Sequence, residues 1–168
     1  MNFLLQVNPA EIAFAKTSGQ QERWVFMTNL CDLSTTEDVR TLVDSFYDKV
    51  GRDDLLAPVF NDFAHVDWAT HLPIMYRFWE SMLFGAGTYE GAPFPKHAVL
   101  PVQKEHFARW LALFVETVNA HFTGPKAEEA KGRAASIADT FAQRMGLLKD
   151  AYGLSIPLCA GGLLPAHR

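Results

Sequence analysis

The chain is poor in cysteine, in positive charge and in long uncharged runs, and each shortage removes a class of function. Its two cysteines, Cys31 and Cys159, stand in different neighbourhoods with no C-x-x-C pair, which argues against a disulfide framework and a cysteine-bound zinc. Lys and Arg number 15 against 19 Asp and Glu, a formal charge of −4. Nothing electrostatic therefore draws it to nucleic acid or an anionic membrane. The longest uncharged, mainly apolar stretch, residues 153–166, is too short to span a bilayer and is broken by Pro157, Pro165 and the Gly161-Gly162 pair. No Lys or Arg precedes Lys16, and Glu11 interrupts the first apolar run. A secretory signal is not expected, and the cytoplasm is the default compartment.

Familiar catalytic signatures are missing as well. The chain holds no G-x-x-x-x-G-K-[ST], no H-E-x-x-H and no G-x-S-x-G. Gly85, Gly87 and Gly91 follow a helical pattern rather than a strand, so they do not form a dinucleotide fingerprint. Paired Glu-x-x-His steps for a di-iron bundle are absent, as is the C-x-x-C-H that attaches haem covalently.

What is present is a single domain's worth of chain, 168 residues, 49% hydrophobic and 20% charged, enough to build a core. Residues 1–33 lack a sustained period and are expected to form a mobile N-terminal extension. Residues 34–148 carry the helical signal, and 149–168 look like an irregular tail. The first helix opens on Ser34-Thr35-Thr36-Glu37, which fits a capping box between Ser34 and Glu37. Val39, Leu42, Val43, Phe46, Tyr47 and Val50 follow at helical spacing until Gly51. A short turn near Asp53–Leu56 is expected to end at Pro58. A second helix is expected from Asp67 to Phe84, with Trp68, His71, Met75, Phe78, Trp79 and Met82 on one face. Residues 85–101, dense in Gly and Pro, are not expected to be helical. A third helix should cover Gln103–Phe122, and Gly124-Pro125 should stop it and start a fourth. The fold class is all-α.

Four residues stand out: Tyr47, His71, His97 and Trp110. Each alone has a plainer explanation, as core tyrosine, satisfied core histidine, loop histidine or core tryptophan. Together they place two hydrogen-bonding side chains from successive helices inside an aromatic interior, with a histidine on another segment free to approach from the opposite side. A flat apolar ligand with a central metal needs that combination. His65, His106, His121 and His167 show no pairing that suggests a metal site and are expected at the surface, as is Lys96.

The runs DLSTTEDVRTLVDSFYDKV, LLAPVFN, VDWATHLPIMYRFWESMLFG, TYEGAPFPKH and EHFARWLALFVETV, in order from Asp32 to Met145, closely resemble the group III truncated haemoglobins. Phe46-Tyr47, Trp68-x-x-His71, Phe78-Trp79 and Lys96-His97 match that family's pattern as a set. The resemblance implies a shortened globin, a two-over-two helical sandwich around non-covalent haem b. It implies that His97 is the proximal iron ligand, that Tyr47, His71 and Trp110 are distal, and that Phe46, Met75, Phe78 and Trp79 line or support the pocket. Members of the family bind oxygen, carbon monoxide and cyanide, so oxygen and other small gaseous ligands are the implied partners. Two alternatives stay open: a haem enzyme that oxidises nitric oxide or reduces peroxide with a separate reductase, and a haem-free helical module that takes another apolar ligand.

Overall fold

A computed structural model describes residues 30–149 and Leu158. Most of the two expected flanking segments, with Cys159 and His167, lies outside the described residues. Five α-helices follow in order: α1 Thr36–Val50, α2 Trp68–Phe84, α3 Phe94–His97, α4 Lys104–His121 and α5 Pro125–Arg144, with a π-helical segment Pro58–Phe63 between α1 and α2. Among the described residues the sole β-type pairing with both partners described is an isolated bridge between Cys31 and Phe122. Helices α4 and α5 pack together most extensively, α1 lies on both α2 and α4, and α2 touches α5. One helix pair is thus laid over another around Phe46, Trp79 and Phe114, each all but fully buried.

Local chemistry explains the helix ends, with some departures from expectation. The α1 capping box forms one residue later than expected: Thr35 accepts from the Asp38 amide at 3.1 Å, and Asp38 accepts from the Thr35 amide at 2.8 Å. Asp38 also takes the Ser34 amide and hydroxyl, so one carboxylate gathers donors that Glu37 leaves untouched. Pro58 begins an element rather than ending one. It sits at the first position of the π-helix, where its missing N–H costs nothing, and the wide turn brings Val59 and Phe60 inward. Residues 94–97 form a single helical turn, preset by Pro93 and Pro95 flanking its start. The other expected helices hold, with Asp67 capping α2 and left-handed Gly85, φ 67°, ending it. Pro73 is absorbed in the second turn of α2.

The start of α5 is capped from far away in sequence. Asp32 accepts from the backbone amides of Lys126 at 2.9 Å and Ala127 at 2.8 Å, with Leu33 buried beside it. The packed unit therefore begins before residue 34. Gly124, φ 133°, allows this approach, because a Cβ there would lie 2.5 Å from the Asp32 side chain. Asp32→Ala should cost about 1–2 kcal/mol in urea denaturation, the usual worth of a helix cap, and Gly124→Ala at least as much. Burial pushes the Asp32 carboxyl up, but the amides of Lys126, Ala127 and Leu33 outweigh it and hold the carboxyl below its ordinary value. A depressed folded value means stabilisation that is present above the ordinary carboxylate range and lost as pH falls through the folded one. Asp32→Asn should therefore flatten the acid limb of the stability profile.

Beyond the cap, α5 presents Ala127, Ala130, Ala134, Ala138 and Ala142, all buried, a small-residue face that lets α4 come close. Leu158 is buried against Ala138, Ala142 and Leu148, so one residue of the expected tail packs on the body. Asp53 accepts from Arg109 on α4 at 2.6 Å and from the amides of Leu55 and Leu56. That contact ties the turn after α1 to the helix that carries Trp110.

Candidate functional site

A cavity opens between the two helix pairs, with walls contributed by every helix. Tyr47 comes from α1, Val59 and Phe60 from the π-helix, and His71, Met75, Phe78 and Trp79 from α2. Pro93, His97, Leu100 and Val102 come from α3 and its flanks, His106, Phe107 and Trp110 from α4, and Ile137, Ala138 and Phe141 from α5. The walls are overwhelmingly apolar. The structure thus brings Tyr47, His71, His97 and Trp110 to one space, along with Met75, Phe78 and Trp79.

Phe46 is placed differently. It does not line the cavity but lies fully buried behind it, with its ring centroid 4.9 Å from Tyr47, 5.3 Å from Trp110 and 5.2 Å from Phe114, each edge-on. It braces the cavity-facing rings rather than meeting a ligand. Trp68 is also outside the wall: it stacks on Phe60 at 5.8 Å, donates its indole N–H to Asn61, and tilts against Tyr47 at 5.6 Å.

The His97 ring nitrogen Nδ1 lies 2.7 Å from the Pro93 carbonyl oxygen. A carbonyl only accepts, so Nδ1 carries the proton and Nε2 of the neutral ring keeps its lone pair. Phe141 sits edge-on to this imidazole at 5.1 Å. Among the described residues, the Tyr47 hydroxyl, the His71 nitrogens and the Trp110 indole N–H have no hydrogen-bond partner. Burial pushes the Tyr47 hydroxyl well above its ordinary value, so it stays protonated. Burial first, and then the neighbouring ionisable groups His97 and Lys96, hold the His71 imidazole below its ordinary value, which favours the neutral ring.

His106 was expected at the surface, yet it is half-buried and lines the cavity. Its Nδ1 accepts from the Gln103 backbone amide at 3.0 Å, which leaves the proton on Nε2. The signal is present in the spacing, since His106 and Trp110 stand four residues apart on one face of α4. His65 and His121 are exposed, as is Lys96. Among the described residues no group of three His, Cys, Asp or Glu is placed to hold a bare metal ion, and no helix is long and apolar enough to cross a membrane.

The donor set fits an iron porphyrin: an apolar slot, one imidazole with an available nitrogen, and further unpartnered donors on other walls. Comparison with known proteins points the same way. The family model described as bacterial-like globin matches residues 32–145. The group 3 truncated haemoglobin ctb of Campylobacter jejuni is 36% identical over 109 residues, covering 62% of this chain and 86% of the relative. The crystal structure of group III truncated haemoglobin from Campylobacter jejuni aligns with a TM-score of 0.63 at 34% identity, covering 72% of this chain and 95% of that one.

Proposed function

This chain belongs to the bacterial-like globin family, and we propose that it binds oxygen and other small diatomic ligands reversibly at a non-covalent haem b held by His97. The observation that carries this reading is the His97–Pro93 hydrogen bond, which fixes the ring tautomer and leaves a bare nitrogen on a residue that lines the same cavity as the unpartnered donors. His97 would hold the haem, which would supply an iron able to take a diatomic gas.

The chain's own side chains do the rest. Met75, Phe78, Trp79, Ile137 and Phe141 exclude water from the slot. Tyr47 and Trp110 offer O–H and N–H donors to a ligand that gathers negative charge, and in an apolar slot such bonds count for more than in water. His71, held neutral, adds a third polar group that neither repels a cation nor fixes an anion. If ferric protein shows six-coordinate low-spin haem and His71→Ala abolishes it, His71 serves as an iron ligand instead. The expected spectrum of His71→Ala retains haem and differs little from wild type.

Peroxide reduction is the less favoured alternative. Cleavage of a peroxide gains from an electron-rich imidazole backed by a carboxylate, whereas His97 is backed by the neutral Pro93 carbonyl. Nitric oxide oxidation would need a separate reductase as partner. The direct test is titration of apoprotein with hemin. One equivalent per chain should bind with a strong Soret band that shifts when carbon monoxide is added to the ferrous form. Protein that stays colourless after haem is supplied overturns the proposal in favour of a haem-free module.

A further inference from the structure

Helix α3 carries His97 yet has four residues, none of them fully buried. The His97–Pro93 hydrogen bond sets the ring within the turn, but so short a turn has little stability of its own, and its seating on the body must come from outside. The contacts that supply it come from the C-terminal end of α5. The guanidinium of Arg144, the last residue of α5, lies 3.7 Å from the centroid of the Phe94 ring. Phe94 meets Phe141 of the same helix edge-on at 5.4 Å, and Phe141 meets the His97 imidazole at 5.1 Å. Among the described residues Arg144 has no carboxylate partner, so this ring is the group its charge engages.

We propose that Arg144 is a positioning residue for His97: its guanidinium, lying over the Phe94 ring, clamps the short turn against α5 so that the imidazole stays at the cavity wall. The inference rests on the reading of His97 as the iron ligand. It assigns a task to a residue that neither lines the cavity nor touches the histidine. A planar guanidinium over an aromatic face is the favourable geometry for such a contact, and a lysine retains the charge with less stacking.

The test uses haem-loaded protein with two readouts, the rate of haem loss to an acceptor apoprotein and the iron–histidine vibration in the ferrous resonance Raman spectrum. Arg144→Met keeps length and removes charge. It should speed haem loss about fivefold, in the range of an exposed cation–π contact, and should broaden or shift the vibration. Arg144→Lys should recover most of both. In a Phe94→Leu background, Arg144→Met should add nothing further, because the clamp already lacks its ring. Unchanged readouts in Arg144→Met, or an undiminished effect in the Phe94→Leu background, overturn the clamp, the latter by assigning Arg144 to the end of the α5 dipole alone. A wild-type spectrum with no iron–histidine band brings down the reading of His97 itself. A normal wild-type band that Arg144→Met leaves unmoved overturns the clamp only.

Discussion

Haem-loaded protein carrying His97→Ala is expected to lose haem at least about a hundredfold faster than wild type, beyond the 10–100-fold that loss of an outer partner of a metal ligand typically costs. The reason lies in what remains. Without the imidazole, the cavity offers apolar contact on every wall, and Tyr47, His71, Trp110 and His106 supply the polar groups. Apolar burial retains a porphyrin loosely; it does not fix an iron. Imidazole added to the buffer should restore binding, since the space left by the side chain is open to a free ring of the same shape. The far-UV circular dichroism of His97→Ala should match wild type, because the ring is only half-buried and α3 is one turn long. The same substitution at His71 should leave haem in place. If both histidine variants lose haem equally, the assignment of a single axial imidazole to α3 is wrong.

The second large effect is expected at Tyr47. Tyr47→Phe should speed oxygen release about ten- to a hundredfold while changing carbon monoxide release by less than about threefold. The asymmetry follows from charge. Oxygen held in a ferrous globin gathers negative charge and carbon monoxide gathers little, so a hydroxyl donor discriminates between them. A hydrogen bond lost in a low-dielectric slot costs on the order of 1–3 kcal/mol, and each 1.4 kcal/mol is a factor of ten. The Tyr47 hydroxyl is suited to the task because burial keeps it protonated and Phe46 fixes its ring from behind. Trp110→Phe should act in the same direction. Stopped-flow displacement of each gas measures both rates, and equal acceleration of the two gases would count against Tyr47 as a donor.

Much of this architecture is legible in the sequence because helices announce themselves locally. The spacing of Val39, Leu42, Val43, Phe46, Tyr47 and Val50 marks the buried face of α1, and all six are buried. Gly124-Pro125 separates α4 from α5. What local pattern does not reveal is tertiary. The cap frame of α1 is decided by which carboxylate collects more donors, and Asp38 gathers the Ser34 amide expected to go to Glu37 together with the Thr35 amide. The Asp32 cap on α5 joins residues more than ninety positions apart, beyond the reach of any periodicity. The helical turn at Phe94–His97 hides in a segment whose prolines read as breakers, though at the first turn of a helix proline is a starter.

The candidate site divides in the same way. Tyr47, His71 and Trp110 lie on apolar faces that the spacing exposes, and the structure sets all three on the cavity. His97 stood out through its place in a motif set rather than through any period of its own. His106 reads as a surface histidine at the start of a helix, yet its four-residue step to Trp110 puts it on the inward face. Phe46, expected to line or support the pocket, lies behind the wall with its ring against Tyr47 and Trp110.

A crystal structure of the haem-loaded ferric protein would test the central assignment most directly, by showing which atom fills the fifth coordination position of iron. The expected atom is Nε2 of His97, with Nδ1 still donating to the Pro93 carbonyl. An iron held from that side by any other atom, with the His97 ring turned out to solvent, would contradict it.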